Sequence, residues 1–219
     1  MKFLYAIVLL FPVVTGAEDF LEVEIGNTTP NHFLPEDHPQ DRYDERISDH
    51  LFITSGNIAR YVQRPSFGPE YSLAIQSNKS DGGSTVYSMT ASFASESLWY
   101  SMKERNDRKE EKEVAVTRSD RTISRDLAIS IQRVWAFALL ETRYPEKVFP
   151  MLDGTSHHFS TFVRGLGMIH GRTRSPLEGT PKKLISIAEE LTNFTTDSSI
   201  AEAEILEKLR AFESELAKA

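Results

Sequence analysis

His157, His158 and His170, with Asp153 just ahead of them, are the residues whose types and spacing first suggest chemistry. Imidazole and carboxylate exchange protons near neutral pH. His157, His158 and Asp153 are therefore the candidate catalytic groups, and they would serve an envelope hydrolase or a metal-dependent enzyme. The run 155–163 (TSHHFSTFV) favours a strand, 164–167 (RGLG) reverses the chain, and 168–173 (MIHGRT) returns. Adjacent histidines on a strand point to opposite faces. A turn centred between Arg164 and Gly165 would set His158 and His170 nearly opposite one another, with Cβ atoms about 5 Å apart. That pair is the candidate metal site. Zinc with an open coordination position needs a third protein ligand, which Asp153 or a residue of the preceding arm would have to supply. The sequence by itself demands no cofactor.

Arg143, Arg164, Arg172 and Arg174 flank the same hairpin. Guanidinium groups grip carboxylate or phosphate through paired donors, so these four are candidates for holding an anion. The competing reading is that they neutralise neighbouring carboxylates. Trp99 and Tyr100 form the other candidate ligand surface, an aromatic platform, against the alternative that they fill the inner face of a sheet.

Several familiar chemistries are excluded. There is no cysteine, which rules out thiol catalysis and thiolate metal sites. Gly165 and Gly167 begin a dinucleotide-like pattern, but His170 occupies the place of its third glycine. No phosphate loop, Gly-x-Ser-x-Gly elbow, Ser-x-x-Lys pair or His-Glu-x-x-His occurs. The 219 residues carry 25 basic and 32 acidic side chains, a formal charge of −7. That sign disfavours nucleic acid, whose binding is driven by basic surface.

The elements that must position these residues are legible in outline. Residues 1–17 have the layout of a secretory leader. Met1-Lys2 is followed by an apolar run broken at Pro12, then by the small residues Thr15, Gly16 and Ala17, then by Glu18-Asp19. The run is too short to span a membrane. Cleavage after Ala17 would remove Lys2 and leave 24 basic against 32 acidic residues, or −8. The expected location is exported, periplasmic or extracellular. Residues 18–50, with Pro30, Pro35 and Pro39, read as an extended acidic arm, and 51–219 as a single α+β domain.

Within that domain a strand is expected over 58–62. A β-hairpin follows, its arms at 71–76 and 85–93 alternating in polarity around Asp81-Gly82. The mixed charges of 103–113 suit a solvated loop, and 113–117 a last strand. The longest helical stretch is 122–144, where Leu127, Ile131, Val134, Trp135 and Ala138 make one apolar stripe that Ile129, Phe137 and Leu140 widen. After the second small hairpin, Thr180-Pro181 starts a helix that runs to about residue 193. Ser199 and Glu202 then suggest a capping box for a last helix striped by Ile205, Leu209, Phe212 and Leu216. The fold class is α+β: an antiparallel sheet on a long central helix, with a second small hairpin and two C-terminal helices. The functional expectation is a non-enzymatic binding module whose partner is a protein or a small anionic ligand, with no nucleic acid and no membrane span.

Overall fold

The computed structural model describes residues 31–36, 40–53, 56–80, 82–102, 111–145 and 153–218. The leader, residues 18–30 of the arm, Asp81 and most of the 103–113 charge run lie outside them. The chain is α+β, with six antiparallel strands in one sheet of order β4-β3-β2-β1-β5-β6. The strands are β1 (Asn57–Pro65), β2 (Tyr71–Lys79), β3 (Thr85–Ala94), β4 (Val116–Ile123), β5 (Thr155–Val163) and β6 (Gly167–Arg174). The first four form a meander. Then α3 (Arg125–Leu140) recrosses the sheet, so that β5 pairs with the free side of β1, Tyr61 opposite Phe159. The second hairpin is thus part of the main sheet.

Helix α3 begins at Ser124, whose side chain accepts from the Leu127 backbone N–H at 3.1 Å. This cap, with Thr122 and Ile123 taken up by β4, makes α3 shorter than the expected 122–144. Its buried stripe is Leu127, Ile131, Val134, Trp135 and Ala138, widened by Ala128 and Leu139. Phe137 and Leu140 are instead exposed, and Ile129 is half-buried. α3 packs on the sheet beside α4 (Gly179–Thr196), which covers β3 and β4, and α5 (Glu202–Leu216) packs on α3. No side chain caps α5, so the expected Ser199–Glu202 box is absent. Glu202 reaches the Ser124 backbone N–H instead, at 3.3 Å, and ties the start of α5 to that of α3.

Among the described residues, the opposite face of the sheet is covered by helix at one end. α1 (Arg42–Leu51) lies there with α2 (Leu98–Ser101), and Ile47, Leu51 and Leu98 pack on Val62 and Ala94. α1 corrects the expectation of an arm extended to residue 50. All three arm prolines precede it, and Asp41 and Asp44 cap each other's backbone N–H groups at 2.9 and 3.1 Å. Residues 33–36 of the arm run along the free edge of β6. Leu34 exchanges two 2.8 Å backbone hydrogen bonds with Arg172, and Phe33 is buried edge-on against Phe159. Gly171 permits this approach, since a Cβ there would lie 2.6 Å from Leu139 and 3.0 Å from Phe33. The last strand also lies downstream of the expected 113–117. β4 is an edge strand whose alternation is charged rather than apolar, a pattern common at sheet edges.

His157 faces the α3 side. It is buried, with its ring stacked 6.0 Å from that of Tyr61 and Nδ1 2.8 Å from the Tyr61 hydroxyl. Burial, reinforced by the positive charges of His158 and Lys182, pushes its pKa down to about 4 from an ordinary 6.5. Between these pH values the unfolded chain binds a proton that the native chain refuses. The stability involved is complete above pH 6.5 and is lost as pH falls toward 4. The expected loss is about 2–3 kcal/mol, read as a drop in urea midpoint between pH 7 and pH 4.5. A His157→Gln variant should flatten that part of the profile. An unchanged slope in the variant would assign the acid sensitivity elsewhere.

Candidate functional site

On the α1 side of the sheet, β1, β5 and β6 form a grid set by strand register. β1 contributes Arg64, Val62 and Arg60; their β5 partners are Ser156, His158 and Ser160; theirs on β6 are Arg174, Arg172 and His170. Neighbouring strands lie about 4.8 Å apart, so Arg64 and Arg174 flank the small Ser156 from either side. His158 lies between Val62 and Arg172, one step along. The loop 164–166 that fixes this register is closed by a Leu166 N–H to Val163 carbonyl bond of 3.0 Å, with Gly165 and Gly167 in left-handed conformations. It sets Val163 opposite Gly167. His158 and His170 are consequently diagonal neighbours rather than partners, about 7–8 Å apart.

Two cavities open on this grid and share Arg64 and His158. The larger, about 440 Å³, is floored by Ser156, Arg172 and Arg174 and walled by Trp99, Tyr100 and Tyr43. The smaller, about 270 Å³, holds Glu36, Arg60, Ser160 and His170 under α1. Arg64 divides them. Its guanidinium donates to Asp44 at 2.5 Å and lies 5.4 Å from the Tyr43 ring centre. Its buried Nε has no partner among the described residues. Asp153 is the one carboxylate that lines the larger cavity among the described residues.

The aromatic wall is built by a buried carboxylate. Glu70 is fully buried. It accepts from the backbone N–H of Leu98 at 2.7 Å and of Trp99 at 3.2 Å, from the Ser97 hydroxyl at 3.2 Å and from the Tyr43 hydroxyl at 2.6 Å. It therefore caps α2 and joins α1 to it, with Tyr43 and Trp99 edge-on at 5.0 Å. Burial, and then the Glu70 charge, push the Tyr43 hydroxyl well above its usual range, so it stays a proton donor. Tyr100 is anchored by its hydroxyl to the Ser66 carbonyl at 3.1 Å.

His158 is held by the arm: its Nδ1 lies 2.7 Å from Glu36 Oε1, while His170 Nδ1 is 3.8 Å from Glu36 Oε2. Burial lowers the His158 pKa, and the Glu36 hydrogen bond only partly offsets this. Burial opposes ionisation of Glu36, yet the His158 hydrogen bond and the charges of His158, Arg64 and His170 together hold its carboxyl below the usual range. At neutral pH the pair is a carboxylate accepting from a neutral imidazole. The Nδ1 proton goes to Glu36, and Nε2 keeps its lone pair.

No family model matches this chain, and no curated protein or solved structure does.

Of the expected site residues, the larger cavity collects Trp99, Tyr100, Asp153, His158, Arg172 and Arg174. It does not collect His157, which is on the other face, nor Arg164, exposed at the hairpin tip, nor Arg143, exposed after α3. Trp99 and Tyr100 do not fill the inner face of the sheet; they wall the cleft. The metal pair keeps its common face, but with Glu36 inserted between its members. Among the described residues no set of three His, Asp or Glu is placed to hold a metal ion. Among them, too, no helix is long and apolar enough to cross a membrane. Sequence reasoning missed Arg64, Glu36, Glu70 and Tyr43. Arg64 alone carried a signal, a charge at two-residue spacing from Val62 and four from Arg60 on β1.

Proposed function

We propose that this is an exported, non-enzymatic binding module whose cleft takes a small anion, a carboxylate or a phosphate. The observation that carries the reading is the row Arg64–Ser156–Arg174 with Arg172 beside it: three guanidinium groups from two non-adjacent strands around a small residue, in a concave site. Arginine at such a site grips a planar or tetrahedral oxyanion through two donors at once. The neutral His158 adds no negative charge to the cleft. The arrangement of residues 1–17 supports export.

Titration with inorganic phosphate and with acetate, followed by NMR shifts, tests the reading. Arg172→Ala should weaken binding about tenfold, roughly 1.4 kcal/mol, with the fold intact by circular dichroism. Raising salt should weaken it further. Binding that is absent, or indifferent to both, overturns the proposal.

A second reading, a hydrolase, is favoured by one observation, the Glu36–His158 pair bordering the same cleft. There His158 Nε2 would take a proton from water as the water oxygen attacks an ester, and return it to the leaving oxygen. In this case p-nitrophenyl phosphate or p-nitrophenyl acetate is turned over, and His158→Gln stops turnover while leaving anion binding in place. No turnover by the wild-type chain rejects the hydrolase for these ester classes.

A further inference from the structure

The larger cavity is built for more than a bare oxyanion. We infer that its ligand carries a flat unsaturated ring beside its carboxylate or phosphate, the ring lying on the Trp99–Tyr100 wall and the charge on the arginines opposite. The inference rests on the anion reading and names the ligand class for the same cleft.

Size is the first argument. A cavity of about 440 Å³ falls in the range of roughly 300–1,000 Å³ that holds small organic molecules, far more room than a phosphate or an acetate fills. Polarity is the second. The two banks differ in kind: β6 presents Arg172 and Arg174, whereas α2 and the β1–β2 turn present Trp99, Tyr100 and Phe67. Phe67 is 77% exposed at the rim. An exposed aromatic at the mouth of a polar cleft loses water contact only when something flat or apolar enters. Rigidity is the third. Trp99 is fixed through its backbone by Glu70 and edge-on by Tyr43, and Tyr100 by its hydroxyl bond to the 66 carbonyl. A wall held this way presents its rings without first having to order them.

The chain contains two tryptophans. Trp135 is fully buried in the core, so a ligand-dependent fluorescence change reports on Trp99. Phenyl phosphate and benzoate are titrated against inorganic phosphate and acetate, with phenol as the neutral ring. The expected result is that at least one ring-bearing anion binds about tenfold or more tighter than its ring-free counterpart and changes Trp99 emission, with phenol too weak to saturate. Preference in the phosphate pair alone, or in the carboxylate pair alone, identifies which oxyanion the cleft takes. Trp99→Ala should erase the preference to within about twofold. Equal affinity of ring-bearing and ring-free anions overturns the inference and leaves the anion reading standing. Binding by none of the anions overturns both. Phenol binding as tightly as phenyl phosphate and benzoate overturns it too, because the arginines then contribute nothing. The wild-type comparison decides the matter even if the Trp99 variant does not fold.

Discussion

Glu70→Ala is expected to destabilise the chain by about 3–5 kcal/mol, the range for leaving buried partners of a charged group unpaired. Four donors converge on this fully buried carboxylate, two of them backbone N–H groups at the start of α2. Truncation would strand those two N–H groups and the Tyr43 hydroxyl, and would open a cavity between α1 and the sheet. Glu70→Gln keeps the volume and one acceptor oxygen but turns an NH₂ group toward donors. It should cost less, about 1–3 kcal/mol. Urea denaturation of the two variants provides the check. A Glu70→Ala loss below 1 kcal/mol would mean that α2 does not depend on this cap. The same substitution should red-shift Trp99 emission, because Glu70 fixes both Trp99 and the Tyr43 ring against it. Stability and the ligand wall therefore depend on one side chain, which ties the architecture of the cleft to the folding of its roof.

How far the sequence carried the fold depends on which physical signal each element left. The β2–β3 and β5–β6 hairpins were legible because their alternation has period two and glycines mark their turns. α3 was legible because its apolar residues recur at helical spacing. β4 was misplaced because an edge strand carries charges, Arg118, Asp120 and Arg121, where an interior strand carries valine and isoleucine. α1 was missed because only Ile47 and Leu51 bury an apolar face, and Pro39 stands just ahead of its capping aspartates. The residue types of the site were legible: Trp99, Tyr100, Asp153, His158, Arg172 and Arg174 were all candidates. Their meeting was not. It depends on β5 pairing with β1 across more than 90 residues of chain, Tyr61 opposite Phe159, and spacing in sequence says nothing about that pairing. Glu36 left no signal at all. It sits in an acidic, proline-dotted arm and acquires meaning only from the Leu34–Arg172 bridge that carries it to His158.

The charge balance of the chain and the character of its cleft point in opposite directions, and the difference is informative. The sequence carries a formal −7, whereas the concavity is lined, among the described residues, by three arginines and one carboxylate, with Arg64 also paired to Asp44. Focusing of field lines in a low-dielectric cleft gives a local potential that need not follow the net charge. A small anion can be drawn to the arginines while a large polyanion meets the net negative charge of the chain. On the proposed anion reading, the cleft therefore suits a small ligand better than a nucleic acid. It also predicts that the salt dependence of binding will be modest, set by one or two charges rather than by many phosphates.

Trp135→Ala is expected to cost about 3–5 kcal/mol, the range for deleting a large aromatic from a core. Trp135 is fully buried at the centre of α3, edge-on to Phe159 at 5.3 Å, and Phe159 in turn contacts Tyr61 at 4.7 Å and Phe33 at 5.3 Å. Through that aromatic chain the helix holds β5, β1 and the arm in register, the same three elements that bring His158, Arg64 and Glu36 together. The indole N–H, however, is buried without a hydrogen-bond partner among the described residues, a defect that costs about 1–3 kcal/mol. Trp135→Phe removes the unmet donor along with part of the ring, and the two effects oppose each other. That variant should stay within about 1 kcal/mol of wild type. Thermal and urea unfolding of the pair make the comparison. Equal losses for phenylalanine and alanine would show that the indole's second ring, rather than aromatic contact with Phe159, carries the packing. Because the grid of Arg64, His158 and Arg172 depends on β1–β5 register, Trp135→Ala should also weaken anion binding from the far side of the sheet, whereas Trp135→Phe should leave it unchanged.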